Sequence, residues 1–296
     1  MTVRRIYPWF DRSGRISTLK LVVFLAIFAP CAWTLLSYEL GTLGPRPLIE
    51  AIHQTGLWAI RFLVISLAIT PLRRALQWPR LVLVRRMVGV ATFGYATLHL
   101  ALYIIDQAFD WRLVASEIVT RFYLTIGVLA LMSLSVLAAT STDVMIRRLS
   151  GRRWRRVHQS VYVIAVLALV HYFIQSKLNV AEPTVIAGLF VWLMAHRAIV
   201  WIWGEDRASS WSLISLSITA GLLTAIGEAT YYRLANGFDP WRVLAANVSW
   251  HFDRRPGWIV LAICLALTMA SLFRAGRGTR LSQSQTTPNT STFEPA

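Results

Sequence analysis

The stretch GVATFGYATLHLALYII (residues 89–105) decides the reading of this chain. It is apolar almost throughout, and with its flanks it is long enough to cross the hydrocarbon core of a bilayer. It carries one side chain that titrates near neutrality, His99. A second run, VYVIAVLALVHYFI (161–174), repeats the pattern with His171. Ionisable groups are costly in lipid, and those present face a bundle interior and carry function. A neutral imidazole costs less than a charge and is a common metal ligand. Two imidazoles at similar depth on separate helices predict a haem iron held between them.

Composition agrees with a membrane protein. The chain has 296 residues, 56% hydrophobic, with 13 Trp, and a mean hydropathy of +0.53. Its apolar runs reach the ~20 residues of a spanning helix and recur along the chain. The net charge of +16 does not point to nucleic acid, because the arginines cluster in short loops between apolar runs, as topology signals do. Cys31 and Cys264 lie inside apolar runs and form neither a zinc spacing nor a covalent haem site, so they read as packing residues. The first apolar run is too long for a signal h-region and reads as a retained span.

Eight spans are predicted, near 19–38, 56–76, 88–106, 121–140, 158–175, 184–203, 211–232 and 257–273. The fold class is therefore all-α: a polytopic membrane bundle with a six-helix haem-binding core and about two extra C-terminal helices. The domain expectation is a cytoplasmic segment over 1–18, the haem domain over 19–203, an extension over 204–274 and a disordered tail over 275–296, rich in Ser, Thr, Gln and Pro. Arginines dominate alternate loops: Arg4, Arg5, Arg12 and Arg15 first, then Arg73, Arg74, Arg80, Arg85 and Arg86, then the run from Arg147 to Arg156. The intervening loops are nearly bare, which puts the N-terminus in the cytoplasm. The last loop breaks the pattern, with Arg233, Arg242, Arg254 and Arg255 on the side predicted to be outside.

His99 and His171 both fall in the outer half of spans that run outward, and their depths differ by only ~3–4 Å at ~1.5 Å per residue. That suits one haem ligated axially from two helices. His158 is thirteen residues before His171, so ~20 Å away along the helix and turned by ~140°. One haem cannot use both. His158 serves a second, inner haem, contacts another cofactor, or is an interfacial residue. Arg121, at the outer start of span four, either pairs with a haem propionate or snorkels to the interface. His53 reads as a surface residue and His196 as a polar group near a helix end. The run RRLSGRRWRRVH (147–158) suits anionic headgroups, an acidic cytosolic donor or a flavin phosphate.

Several stretches carry a resemblance: AIHQTG (51–56), AITPLRR (68–74), RRMVGVATFGYATLHLALY (85–103), EIVTRFYLTIG (117–127) and the long segment from Thr140 to Phe173. Together, over roughly residues 15–200, they resemble the MsrQ (YedZ) family of the ferric-reductase-like transmembrane superfamily. The resemblance implies a haem b subunit in a bacterial inner membrane, with FMN also bound. It implies a cytosolic flavin reductase as donor and, outside, a periplasmic molybdopterin partner, MsrP, that reduces methionine sulfoxide in envelope proteins. The family's histidines match His99, His158 and His171.

The expected function is electron transfer to that partner, with no methionine sulfoxide reductase activity from this chain alone. No G-x-G-x-x-G is present, so electrons must arrive from another protein or from quinol. Two readings from other classes stand beside it. One is a transporter or proton conduit using the histidines and Glu228. The other is a structural membrane anchor whose histidines bond helix to helix.

Overall fold

The computed structural model describes residues 9–10, 14–177, 179–204, 210–249 and 255–284. Arg4, Arg5, Arg12, His251, Arg254 and the tail from 285 lie outside these. Among the described residues the chain is helical, apart from turns and one isolated bridge between Phe10 and Ile16. The eight expected spans are all present as helices long and apolar enough to cross a membrane. The protein is a multi-pass helical bundle.

The long helices are α1 (Thr18–Glu39), α2 (Pro47–Ala75), α3 (Val82–Asp106), α5 (Phe122–Ala139), α7 (Val161–Gln175), α8 (Ala181–Trp203), α9 (Ser210–Asn236) and α11 (Pro256–Ser284). Between them lie three helices that hydropathy does not single out: α4 (Trp111–Thr120), α6 (Asp143–Gln159) and α10 (Pro240–Val248). Helix α6 carries the arginine run, buries no residue, and breaks at Ser150, where φ is +60°. It leads through Ser160 into α7, so the part of α6 after Ser150 and the fifth span form one nearly continuous rod. The last helix continues past Arg274 to Ser284.

Helix α2 is the centre of the bundle. Proline at its first position and Glu50 in its first turn suit its start, and Arg73 and Arg74 in its last turn suit its negative end. One side packs Phe62 and Ile69 against Val84, Val88 and Tyr95 of α3 and Ile27 of α1. The other packs Leu63 and Leu67 against α5, α7 and α8, through Leu134, Ile164 and Leu193 among others. Outward-facing side chains are apolar, as in Trp33, Val136 and Leu222, which suits contact with lipid tails.

Two prolines inside spans are accommodated by named side chains. In α1, next to Pro30, the Tyr95 hydroxyl enters the helical ladder. It accepts from Cys31 N at 3.0 Å and donates to Ile27 O at 2.6 Å. In α2, Pro71 has no N–H to give Leu67 O. Arg197 of α8 donates to that carbonyl instead, at 2.6 Å.

The C-terminal extension lies against α2 and α8. Small residues allow the close approach: Gly188 of α8 meets Thr224 and Val260, and Gly221 of α9 meets Leu261 of α11. The extension also echoes an earlier part of the chain. Phe109-Asp110-Trp111-Arg112 caps and begins α4, and Phe238-Asp239-Pro240-Trp241-Arg242 does the same for α10. Asp110 and Asp239 both accept from the backbone of their helix's first turn. The unit span, short capped helix, span thus occurs twice, as α3–α4–α5 and α9–α10–α11. It places three arginines of the last loop: Arg233 in the last turn of α9, Arg242 on the amphipathic α10, and Arg255 paired with Glu228. Counting ten residues back from each Phe lands on His99 in the first copy and on Glu228 in the second.

Candidate functional site

A cavity of about 610 Å³ opens between α2, α3, α5 and α7, with the start of α8 at its rim. That volume lies within the ~300–1,000 Å³ usual for cofactor sites. Its walls are mostly apolar, with Leu63, Leu100, Leu131 and Leu134 among them. His99 and His171 both line it, and their ring centroids are 6.3 Å apart with planes at 86°.

Each ring is held in the same way. Nδ1 of His99 lies 2.7 Å from Ile52 O, and Nδ1 of His171 lies 2.7 Å from Tyr123 O. A carbonyl only accepts, so each Nδ1 carries the proton and each Nε2 keeps its lone pair. This is the outer support that metal-binding imidazoles use. Each ring also lies against a glycine four residues past its carbonyl partner. A Cβ on Gly56 would stand 2.9 Å from His99 Nδ1, and one on Gly127 would stand 2.9 Å from His171 Nδ1. The pattern is one device used twice: carbonyl at position i, glycine at i+4, imidazole from a neighbouring helix.

The spacing fits a metal between the rings. A metal–nitrogen bond of ~2.0–2.1 Å plus about 1.1 Å from nitrogen to ring centre, taken twice, gives roughly 6.3 Å. The site therefore has two lone-pair nitrogens, a suitable separation and an apolar slot of cofactor size. These features fit a haem, with His99 and His171 as the residues able to hold its iron.

The rim away from the arginine-rich loops is polar. Arg61, inside span two, pairs with Glu182, which also accepts from the Tyr172 hydroxyl at 3.1 Å. Arg61 lies 4.9 Å from the Trp58 ring centre. Arg121 stands 2.6 Å from Glu117 and donates to the Tyr123 hydroxyl at 3.3 Å, so its guanidinium is engaged by protein groups. His53 lines the cavity mouth, half-exposed, 3.8 Å from Glu50.

His158 is not brought to this cavity. It sits at the arginine-rich end, stacked on Trp154 at 4.0 Å between centroids, with Nδ1 3.2 Å from Trp154 O and Nε2 3.3 Å from Ser141 Oγ. His196 lies beside Trp192 in a smaller cavity of about 250 Å³ at the seam between core and extension. Glu228 is fully buried, paired with Arg255 at 3.3 Å and bonded to Asn247 at 3.3 Å, within the extension and away from both histidines.

Gly56, Gly127, Arg61 and Glu182 were not singled out by their residue types. Two of them had a findable signal. Ile52-x-x-x-Gly56 and Tyr123-x-x-x-Gly127 share one spacing, each at the same end of a span as an intramembrane histidine.

Comparison with known proteins gives the family. Residues 55–169, which include His99 and end two residues before His171, match the ferric reductase like transmembrane component family. The protein-methionine-sulfoxide reductase heme-binding subunit MsrQ of Rhodospirillum rubrum is 42% identical over 190 residues, covering 64% of this chain and 89% of that protein. The MsrQ of Caulobacter vibrioides is 40% identical over the same shares. That of Xanthomonas oryzae pv. oryzae is 40% identical over 193 residues, or 63% and 88%. No solved structure matches the chain. With nearly nine-tenths of each relative covered at this identity, the chain belongs to the MsrQ family of protein-methionine-sulfoxide reductase heme-binding subunits.

Proposed function

We propose that this chain is a haem b electron-transfer subunit of a bacterial inner membrane, with its N-terminus in the cytoplasm. Its donor is a cytoplasmic flavin reductase or the quinol pool. Its acceptor is a periplasmic molybdopterin methionine sulfoxide reductase, MsrP, on which oxidised methionine is reduced. The observation that carries the reading is the pair of imidazoles, 6.3 Å apart, each with Nδ1 held by a carbonyl.

His99 and His171 bind the iron through Nε2. Gly56 and Gly127 let the rings seat, and the leucine-rich walls exclude water. When bound, the haem supplies a one-electron iron centre, and the protein supplies ligation, orientation and potential. The orientation rests on arginine placement. The donor and any FMN belong at the arginine-rich end, where Arg85, Arg86 and the α6 arginines face few acidic groups. There His158, with both ring nitrogens hydrogen-bonded, organises the junction of α5, α6 and α7.

The test is a reduced-minus-oxidised spectrum of purified protein with haem quantified against protein. The wild type is expected to show a low-spin b-type spectrum. His99→Ala and His171→Ala are each expected to lose that haem while still inserting, and His158→Ala is expected to keep it. Full haem retention in both His99→Ala and His171→Ala overturns the assignment.

A further inference from the structure

A line of four side chains crosses the arginine-poor mouth of the cavity. Tyr103 is one helical turn beyond His99 on α3, and its hydroxyl donates to Glu117 Oε2. The other oxygen of Glu117 is 2.6 Å from Arg121 Nη2. Arg121 returns through Nη1 to the Tyr123 hydroxyl at 3.3 Å. The carbonyl of Tyr123 holds Nδ1 of His171. The line therefore starts one turn from one histidine and ends on the other.

The two tyrosines line the cavity, while Glu117 and Arg121 stand behind them. Glu117 is well shielded, with 15% of its side chain exposed against 51% for Arg121. A charge in such a place is screened less than one in water, so it acts on a nearby redox centre more strongly. As a pair the two groups are close to neutral. Removing either one leaves a single charge, and the two possible residues have opposite signs.

We propose that Glu117 and Arg121 are positioning residues that set the reduction potential of the cofactor held by His99 and His171. Tyr103 and Tyr123 stand between the pair and the cavity. The proposal rests on the ligation reading given above. A purely structural tie is the competing account. The second copy of the unit has such a tie, Glu228 with Arg255, with Glu228 at the position that His99 holds in the first copy. A structural tie predicts no sign relation between the two substitutions.

The experiment is a visible redox titration of the haem-loaded full-length protein carrying Glu117→Gln, Arg121→Gln or both. The potential is poised where wild-type haem is half reduced. Glu117→Gln leaves a positive charge and is expected to raise the reduced-to-oxidised ratio about tenfold, or ~59 mV for one electron. Arg121→Gln leaves a negative charge and is expected to lower the ratio, by a smaller factor because the charge removed is the more exposed one. The double variant is neutral again and is expected to stay within about threefold of wild type. Shifts in the same direction, or none, overturn the proposal. If a single variant fails to fold, the double variant and Tyr103→Phe still decide, because both keep the mouth neutral. A tenfold shift in either of those overturns it. The ligation reading fails on haem content in the histidine variants, whereas this inference fails on the potential of a haem both histidines still hold.

Discussion

An imidazole that is to bind metal must carry its proton on the other nitrogen, and in a membrane span the acceptor for that proton has to come from the protein. Here it is a helix carbonyl, Ile52 O for His99 and Tyr123 O for His171. A carbonyl inside a helix is reachable only if the side chains around it leave room, and a glycine one turn on leaves that room. Gly56→Ala and Gly127→Ala each place a methyl 2.9 Å from an imidazole nitrogen. Each is expected to weaken haem binding ~10–100-fold, the usual cost of disturbing a ligand's support. Gly94→Ala, on the same helix as His99 with nothing within 4 Å of its added Cβ, is the control. Haem titration of the apoproteins checks this, and equal affinity in all three would remove the glycines from the site. The histidines were legible in the sequence because an imidazole stands out in an apolar run. The glycines were legible only through their shared spacing, since glycine itself is common in membrane helices. The two carbonyls have no residue-type signal at all.

At the scale of elements, span count was legible because hydropathy is summed over a long window. Helices α4 and α10 were not, because ten and nine residues of mixed polarity fall below any such window. Their signal is local, an Asp cap after Phe, and it is weak until seen twice. The joins between spans were equally hidden. Pro71 strips Leu67 O of its ladder donor, and Arg197, from a helix more than a hundred residues on, replaces it. Arg197→Met leaves that carbonyl without its donor at a cost of ~1–3 kcal/mol. Its melting temperature in detergent is expected to fall. Adding Pro71→Ala restores an N–H four residues after Leu67 and is expected to recover part of the loss. If the double variant melts no higher than Arg197→Met, the proline–arginine account is wrong.

Across the whole molecule, chemistry and extension occupy different stretches of α2. The wall of the large cavity comes from α2, α3, α5, α7 and the start of α8, and none of its lining residues lies beyond Glu182. The extension packs farther along the helix, where Val260 and Cys264 join the core cluster beside Leu67 and Leu193, and Leu213 and Leu267 lie near Ala68 and Pro71. The unmatched tenth of each relative is too short to hold three helices like α9, α10 and α11. The family's cofactor function therefore does not require them. Glu228, at the counted position of His99, is committed to Arg255 and Asn247 instead of facing a cavity. A variant ending at Gly204 is then expected to insert and to bind haem in the same ratio to protein as the full chain. It is also expected to melt lower, because Gly188 loses its tight contacts with Thr224 and Val260. Purification of the two forms side by side, with haem content and melting temperature measured on each, checks both parts. A truncated protein that inserts but holds no haem would mean that the extension shapes the cavity through α2 and α8, and that the two regions are not independent.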